Sequence, residues 1–331
     1  MIKRIRIKQF RGIREGELEL APLTILLGAN NSGKTTVLEA LLLVHGPIHK
    51  QPYEYEIEAV KLLLYLHKTL DAQGFSFLLY NYSAEKAHVS AELDGKTCDL
   101  PLTRSGDWII CKEPTLFGGE EVELSMTSDY LGPRPVRPLS KALYVRSDLI
   151  KPAYEYLRRI WPDVWQYASR VAEALSRLVH EDYVNFTMEP FHGGKVTLYA
   201  FLKDGRRVRL GDLGDGVQVL ATAMLLYELV KPKLLLWDDV EAHMNPSMLL
   251  YLASWLGERV REGTQVVVST HSLEAASAIA HAGEEVSEKE VRIVLLSLRN
   301  GVLRYRVMTL EEVEEYRRAG IDVRVGEGLL I

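Results

Sequence analysis

The chain opens on a loose alternation, with Ile2, Ile5, Ile7 and Phe10 apolar and Lys3, Arg4, Arg6 and Lys8 between them. This pattern predicts a strand over 2–10 with one basic face. Residues 16–20 (GELEL) read as its hairpin partner. Leu23 to Leu27 is a short apolar run, followed by a Gly/Asn/Ser loop and then helical spacing from Lys34 to Val44. Residues 49–70 read as helical, with Leu62, Leu63, Leu66 and Leu70 as the stripe. From residue 75 onward the period switches to two in FSFLLYNY, HVSAEL, DWIIC and EVELSM, with turns at Asp94-Gly95 and Gly118-Gly119. An inserted helical and antiparallel lobe is therefore expected over 46–140, closed by the Pro-rich passage 133–138.

Residues 141–146 (KALYVR) read as a buried strand. A helical stretch follows over 151–180, interrupted by Pro162, with Val164, Ala168, Val171, Leu175 and Leu178 on one face. A hairpin is expected around Asp204-Gly205, then a Gly-rich turn at 211–216 opening a helix to residue 230. Strands at 233–237 and 265–269 alternate with helices at 246–262 and 272–282. Two further strands, 291–298 and 302–308, and a helix near 310–318 complete the chain. Strand–helix alternation at both ends predicts one α/β core, over 1–45 and 141–331, with a helical lobe at 151–182 and the mid-chain insertion.

Composition narrows the class. The 331 residues carry 40 Lys+Arg against 45 Asp+Glu, a net charge of −5, with 47% hydrophobic and 26% charged residues. That excludes disorder and a protein that coats nucleic acid by bulk charge. Cys98 and Cys111 are the only cysteines, so neither a disulfide framework nor a zinc site is expected. No secretory h-region or membrane-length apolar run stands out, and a cytoplasmic protein is expected. Asn and Gln total only 12, a composition that leans toward a thermophile.

The chemistry lies in the loops. Gly28-Ala29-Asn30-Asn31-Ser32-Gly33-Lys34-Thr35 matches G-x-x-x-x-G-K-[ST] and sits between an apolar strand and a helix, the context the motif requires. Backbone N–H groups of such a loop point at phosphate oxygens, and the helix N-terminus adds partial positive charge. Lys34 would reach the β/γ-phosphates and Thr35 would ligate Mg²⁺. Leu234 to Asp239 is an apolar strand ending in two carboxylates, with Glu241 two residues on. Beside a P-loop strand, the first acid holds the Mg²⁺ shell and a second polarises the attacking water. Val267 to Ser272 is another strand, ending at His271, which is placed to sense a γ-phosphate. Leu213-Gly214-Asp215-Gly216-Val217-Gln218 opens a helix and is by itself a weak anion-binding signal.

The order of these motifs resembles the ABC-class ATPases, within them the group holding RecF, SMC heads and the OLD ATPases. The opening Ile7-Lys8-Gln9-Phe10-Arg11-Gly12-Ile13 is similar to that group's first strand, Asn30-Asn31 to the OLD-like P-loop, and Asp239 to Pro246 to the OLD-like Glu-Pro-Glu-x-His-x-His-Pro stretch. The resemblance implies a P-loop NTPase of ABC-ATPase type, with a mixed sheet, N-terminal antiparallel strands and an inserted lobe. It implies ATP and Mg²⁺ as cofactors, and a head-to-tail homodimer with two ATPs sandwiched. On this view Gly28, Asn30, Asn31, Ser32, Gly33, Lys34, Thr35, Thr36 and Arg11 contact nucleotide. Gly214, Asp215 and Gly216 form the signature that closes over the partner's ATP, and Met244-Asn245-Pro246 is the dimer-contact loop. Thr35 and Asp238 are on the metal side, and Lys34, Asp239, Glu241 and His271 are catalytic.

Three departures stand out. Asp239 is one methylene shorter than the usual Glu; Val240 and Asn245 replace the usual Pro and His; and no Gln marks the Mg²⁺-sensing loop, whose place is taken by the SDLIKP stretch after Arg146. The 60 residues after His271 hold no Asp-x-Asp pair, and Gly326-Glu327-Gly328 alone does not make a Toprim nuclease, so no nuclease domain is expected. The output expected by resemblance is DNA repair, recombination or defence against phage, with DNA and a separately encoded nuclease as candidate partners. The alternative is a nucleotide-gated clamp on DNA or protein with negligible turnover. A transporter's ATPase subunit is disfavoured by the absent Leu-Ser-Gly-Gly-Gln.

Overall fold

The computed structural model describes residues 1–67, 74–179, 181–284 and 291–321. The N-terminal part runs β1 (Ile2–Phe10), β2 (Ile13–Glu19), β3 (Leu23–Leu27), α1 (Lys34–Val44), β4 (Lys50–Gln51), β5 (Ile57–Glu58) and α2 (Ala59–His67). Strands β6 (Lys86–Leu93), β7 (Lys96–Ser105), β8 (Trp108–Lys112), β9 (Glu121–Ser125) and β10 (Ala142–Val145) follow, then α3 (Ile150–Arg159) and α4 (Trp161–Val179). The remainder is β11 (Tyr183–Pro190), β12 (Val196–Leu202), β13 (Arg207–Arg209), α5 (Asp215–Val230), β14 (Leu234–Trp237), α6 (Pro246–Arg261), β15 (Gln265–Thr270), α7 (Leu273–Glu284), β16 (Val291–Arg299), β17 (Val302–Met308) and α8 (Leu310–Arg318).

Twelve strands form one sheet, ordered β10-β14-β15-β3-β16-β17-β2-β1-β6-β7-β8-β9. Strands β10, β14, β15, β3 and β16 pair in parallel, each with its neighbour. They read as unbroken apolar runs because helices cover both faces. Strands β6 to β9 are antiparallel and join the sheet through β1. The expected insertion thus supplies antiparallel strands, but they extend the core sheet and do not form one of their own. Helix α1 contacts β10, β14 and β15 on one side and β6 and β7 on the other. It is enclosed by both halves of the sheet, so its polar residues Thr36 and Glu39 are buried along with its leucines.

Several expectations need correction. The helix read over 49–70 begins only at Ala59; residues 50–58 form the β4–β5 pair, because Pro52 and the left-handed residues Glu54 and Glu56 cannot continue a helix. Leu70 lies outside the described residues. FSFLLYNY is two 3₁₀ turns, Phe75–Leu78 and Tyr80–Tyr82, not a strand. Strand β11 was not read from the pattern. The stretch 151–180 divides at Ile160, since Pro162 fits only the first turn of a new helix.

The end of α1 rests on the inserted segment. The His45 ring lies 4.7 Å from that of Phe117. Burial pushes its pKa from 6.5 down to about 4, opposed in part by its own backbone hydrogen bond. The folded chain therefore keeps His45 neutral while the unfolded chain protonates it. Its stabilising contribution is complete above pH 6.5 and is lost as pH falls toward 4. His45→Phe should flatten the stability–pH curve across that window, by on the order of 2 kcal/mol at its lower end. Urea unfolding of both proteins at several pH values measures this, and parallel curves would refute it.

Candidate nucleotide site

The P-loop sits where β3 ends at the C-terminal edge of the parallel strands. Gly28 has φ +153°, and a Cβ there would lie 2.6 Å from the Leu296 carbonyl oxygen and 2.9 Å from Ser32 Oγ. Gly33 (φ +94°) caps α1, and Asn31 takes φ +62°, the left-handed geometry that Asn tolerates best after Gly. The first N–H groups of α1 have no partner within the helix and face the cleft. Lys34 folds back over the loop, donating to the carbonyls of Gly28 and Ala29, each at 2.8 Å. Burial lowers its pKa, against the pull of Asp239, Asp238 and Glu241.

Three elements converge on Asp238. Thr35 Oγ1 donates to its two oxygens at 3.2 and 3.0 Å, Ser269 Oγ donates to Oδ1 at 2.5 Å, and the Tyr144 hydroxyl donates to Oδ2 at 3.1 Å. The carboxylate is buried, 1% exposed. Ser269 Oγ also accepts the Asp239 N–H at 2.8 Å, fixing the backbone at the double acid. Asp239 turns into the left-handed region (φ +49°) and thereby faces the cleft. Its pKa is raised by burial and by the like charges of Asp238 and Glu241, with His271 and Lys34 opposing. His271 Nδ1 lies 3.0 Å from the Gly28 carbonyl oxygen and 3.3 Å from Lys34 Nζ, while Nε2 is 3.2 Å from Asp239 Oδ1. Glu241 is aimed elsewhere: Oε1 accepts the His271 N–H at 2.7 Å.

Around these groups lies a cleft of about 560 Å³ lined by Arg11, residues 30–36 of the loop and helix, His67, Arg146, Asp239 and His271. Arg11 is anchored by buried Glu39, which also bonds His67 Nε2 at 2.7 Å. Burial lowers the Arg11 pKa to about 10, with Tyr144 and Asp238 acting against it. The residues fit Mg²⁺ and a polyphosphate: a hydroxyl and a carboxylate are hard oxygen donors, and the glycine cradle has no room for a Cβ. Of the expected site residues, Gly28, Asn30, Asn31, Ser32, Gly33, Lys34, Thr35, Thr36, Arg11, Asp238, Asp239 and His271 gather here. Gly214, Asp215 and Gly216 do not line this cleft. They open α5, where Gly216 packs on the His243 carbonyl and Asp215 is 3.6 Å from His243 Nδ1. Arg146, His67 and Tyr144 were missed. Arg146 and Tyr144 lie in the KALYVR strand, whose parallel position beside the acidic strand was their only signal.

Comparison with known proteins agrees with this geometry. Residues 1–96 match a family model described as "AAA ATPase domain". Residues 114–277 match one described as "AAA domain, putative AbiEii toxin, Type IV TA system". The chain is similar to an OLD nuclease of Thermus scotoductus, 46% identical over 48 residues. It is also similar to the uncharacterized protein MJECL10 of Methanocaldococcus jannaschii, 54% identical over 44 residues. These segments cover 14% and 13% of this chain but only 9% and 20% of those relatives. The fold is that of SMC heads. An SMC head bound to the C-terminal winged-helix domain of ScpA superposes with a TM-score of 0.57 at 16% identity, covering 95% of this chain and 99% of that one. An Smc head with an extended coiled coil, in a complex described as derived from Pyrococcus furiosus, gives 0.56 at 14% identity, covering 96% and 98%.

Fold and site therefore define a P-loop NTPase with an SMC-head-like mixed sheet. The two matching ATPase-type domain models and this fold agree with the resemblance to the ABC-class P-loop ATPases of the RecF/SMC/OLD type. Gly28→Ala should weaken nucleotide binding at least about tenfold, because the added methyl displaces a backbone carbonyl and the loop serine. Titration with a fluorescent ATP analogue, with circular dichroism to confirm folding, checks this; unchanged affinity would refute it.

Proposed function

We propose that the protein is a Mg²⁺-dependent ATPase whose two copies close head to tail on two ATPs. The convergence of Lys34, the Thr35–Asp238 pair and the Asp239–His271 pair on one cleft carries this reading. Mg²⁺, when bound, would neutralise phosphate charge beside Thr35 and Asp238. Lys34 would release the Gly28 and Ala29 carbonyls to bind phosphate. Asp239 is assigned the water-orienting role because it faces the cleft. Glu241 is assigned to holding the His271 backbone. The signature turn, with Gly214 and Asp215 exposed and set apart from its own cleft, supports a role on a partner's ATP.

DNA repair, recombination or defence against phage is the setting that the resemblance favours. The basic residues clustered at 203–209 and 134–146 lend it little. Arg206, Arg207 and Arg209 pair with Asp204, Glu189 and Asp212, and Arg134 and Arg137 pair with Glu58 and Glu113. Lys141 is bound to the Val230 carbonyl. A DNA ligand, an added nuclease and a cytoplasmic setting therefore rest on the family; among the described residues no helix is long and apolar enough to cross a membrane. The second reading, a nucleotide-gated clamp, is favoured by one contact: Asp239 is short and is already engaged by His271.

Phosphate release from Mg-ATP, measured warm with and without DNA, separates the two. Lys34→Ala should remove binding and turnover together. Asp239→Asn should keep binding and lose turnover by about a hundredfold or more. Glu241→Gln, whose amide oxygen still accepts the His271 N–H, should lose about tenfold or less. Larger loss in Glu241→Gln than in Asp239→Asn would reverse the two roles. ATP binding by the wild type without turnover, with or without DNA, would select the clamp.

A further inference from the structure

The cleft holds a third cation that the expected motifs do not account for. Arg146 follows the last residue of β10, which runs parallel to β14 with Tyr144 opposite Leu236 and Val145 opposite Trp237. Arg146 is therefore level with Asp238, and alternation puts it on the same face as Tyr144. Its Nη1 lies 4.0 Å from Asp238 Oδ2, the oxygen that accepts the Tyr144 hydroxyl, and its Nε is 3.2 Å from Asp148 Oδ1. The strand end is held firmly. Gln51 bonds the Ala142 carbonyl at 2.8 Å and the Tyr144 N–H at 3.3 Å, and the Tyr53 hydroxyl bonds the Tyr144 carbonyl. The guanidinium thus sits between two carboxylates, in loose ion-pair range of one, on the cleft wall.

We propose that Arg146 is a cis-acting arginine that compensates the charge of Asp238 before Mg²⁺ arrives and moves to the terminal phosphate when Mg-ATP binds. The inference rests on the ATPase reading above. A dication beside Thr35 and Asp238 repels a guanidinium at the same carboxylate. The phosphoryl group in transfer, where charge develops, offers that guanidinium its better, bidentate partner, while in the bound ground state the contact only replaces the one given up at Asp238. The Mg²⁺-sensing Gln of related ATPases is neutral and can approach a metal directly. An arginine at the strand end beside the acids cannot, and it acts on the anion instead.

The test compares wild type with Arg146→Ala, Arg146→Lys and Arg146→Gln. The readouts are the Mg²⁺ concentration for half-maximal binding of a fluorescent ATP analogue, its Kd at saturating Mg²⁺, and kcat. Arg146→Ala should lower kcat about a hundredfold while changing Kd less than about threefold, the mark of a group acting at the transition state. Millimolar guanidinium should restore part of kcat to Arg146→Ala, and Arg146→Lys should lie between it and wild type. Removing the competing cation in Arg146→Ala or Arg146→Gln should lower the Mg²⁺ midpoint several-fold. Unchanged kcat together with an unchanged midpoint would overturn the proposal, as would equal losses in kcat and affinity. If the wild type binds Mg-ATP without turnover, the hydrolysis reading fails while the midpoint shift still decides Arg146. A wild type that binds no nucleotide overturns both.

Discussion

Asp238 is the point on which the site depends. A strand-end carboxylate buried to 1% exposure survives only if its lone pairs are satisfied. Here Thr35 comes from the P-loop helix, Tyr144 from β10 and Ser269 from β15, so three separate elements must end at one height in the sheet. The parallel register delivers that: Tyr144 and Val145 face Leu236 and Trp237, and Trp237 faces Val268. A one-residue slip of β10 would turn Tyr144 to the other face and strand the carboxylate.

The same economy governs α1. Its hydrophobic residues are contacted from both halves of the sheet, so Glu39 has no route to water and must be neutralised in place. Arg11 does this from the turn between β1 and β2, and His67, kept neutral because burial pushes its pKa down to about 3, adds a hydrogen bond from the end of α2. Because both also line the cleft, the groups that satisfy the buried charge are the ones that shape the mouth of the nucleotide site. The charge balance of the core and the electrostatics of the site are one arrangement.

What was legible in the sequence was what local pattern dictates. Leu23–Leu27, the Gly-rich loop and the helix from Lys34 follow from an apolar run, glycines at forced φ and a helical stripe. The strand ends at Asp238 and Thr270 follow similarly. The failures have a common cause. FSFLLYNY is apolar on alternate residues, yet left-handed Asn81 and Tyr82 divide it into turns. The helix expected over 49–70 lost its first turns to Pro52 and two positive-φ glutamates. Tyr144 and Arg146 read as one more apolar strand with a charged end, since only the pairing of β10 with β14 gives them a carboxylate to meet. Tertiary partners separated by ninety residues leave no trace in local periodicity.

The placement of Gly214–Gly216 makes a different kind of argument. A glycine turn at a helix N-terminus binds anions because its N–H groups are unfilled. In this chain Gly214 and Asp215 are exposed, Gly216 is buried against the His243 carbonyl, and the turn is set apart from the cleft lined by Lys34. His243 belongs to the loop between the double acid and α6, so the turn is tied to the segment that starts at Asp239. A single copy thus carries a P-loop cradle and a separate glycine turn on a different loop, the latter tied to the segment from Asp239 to His243.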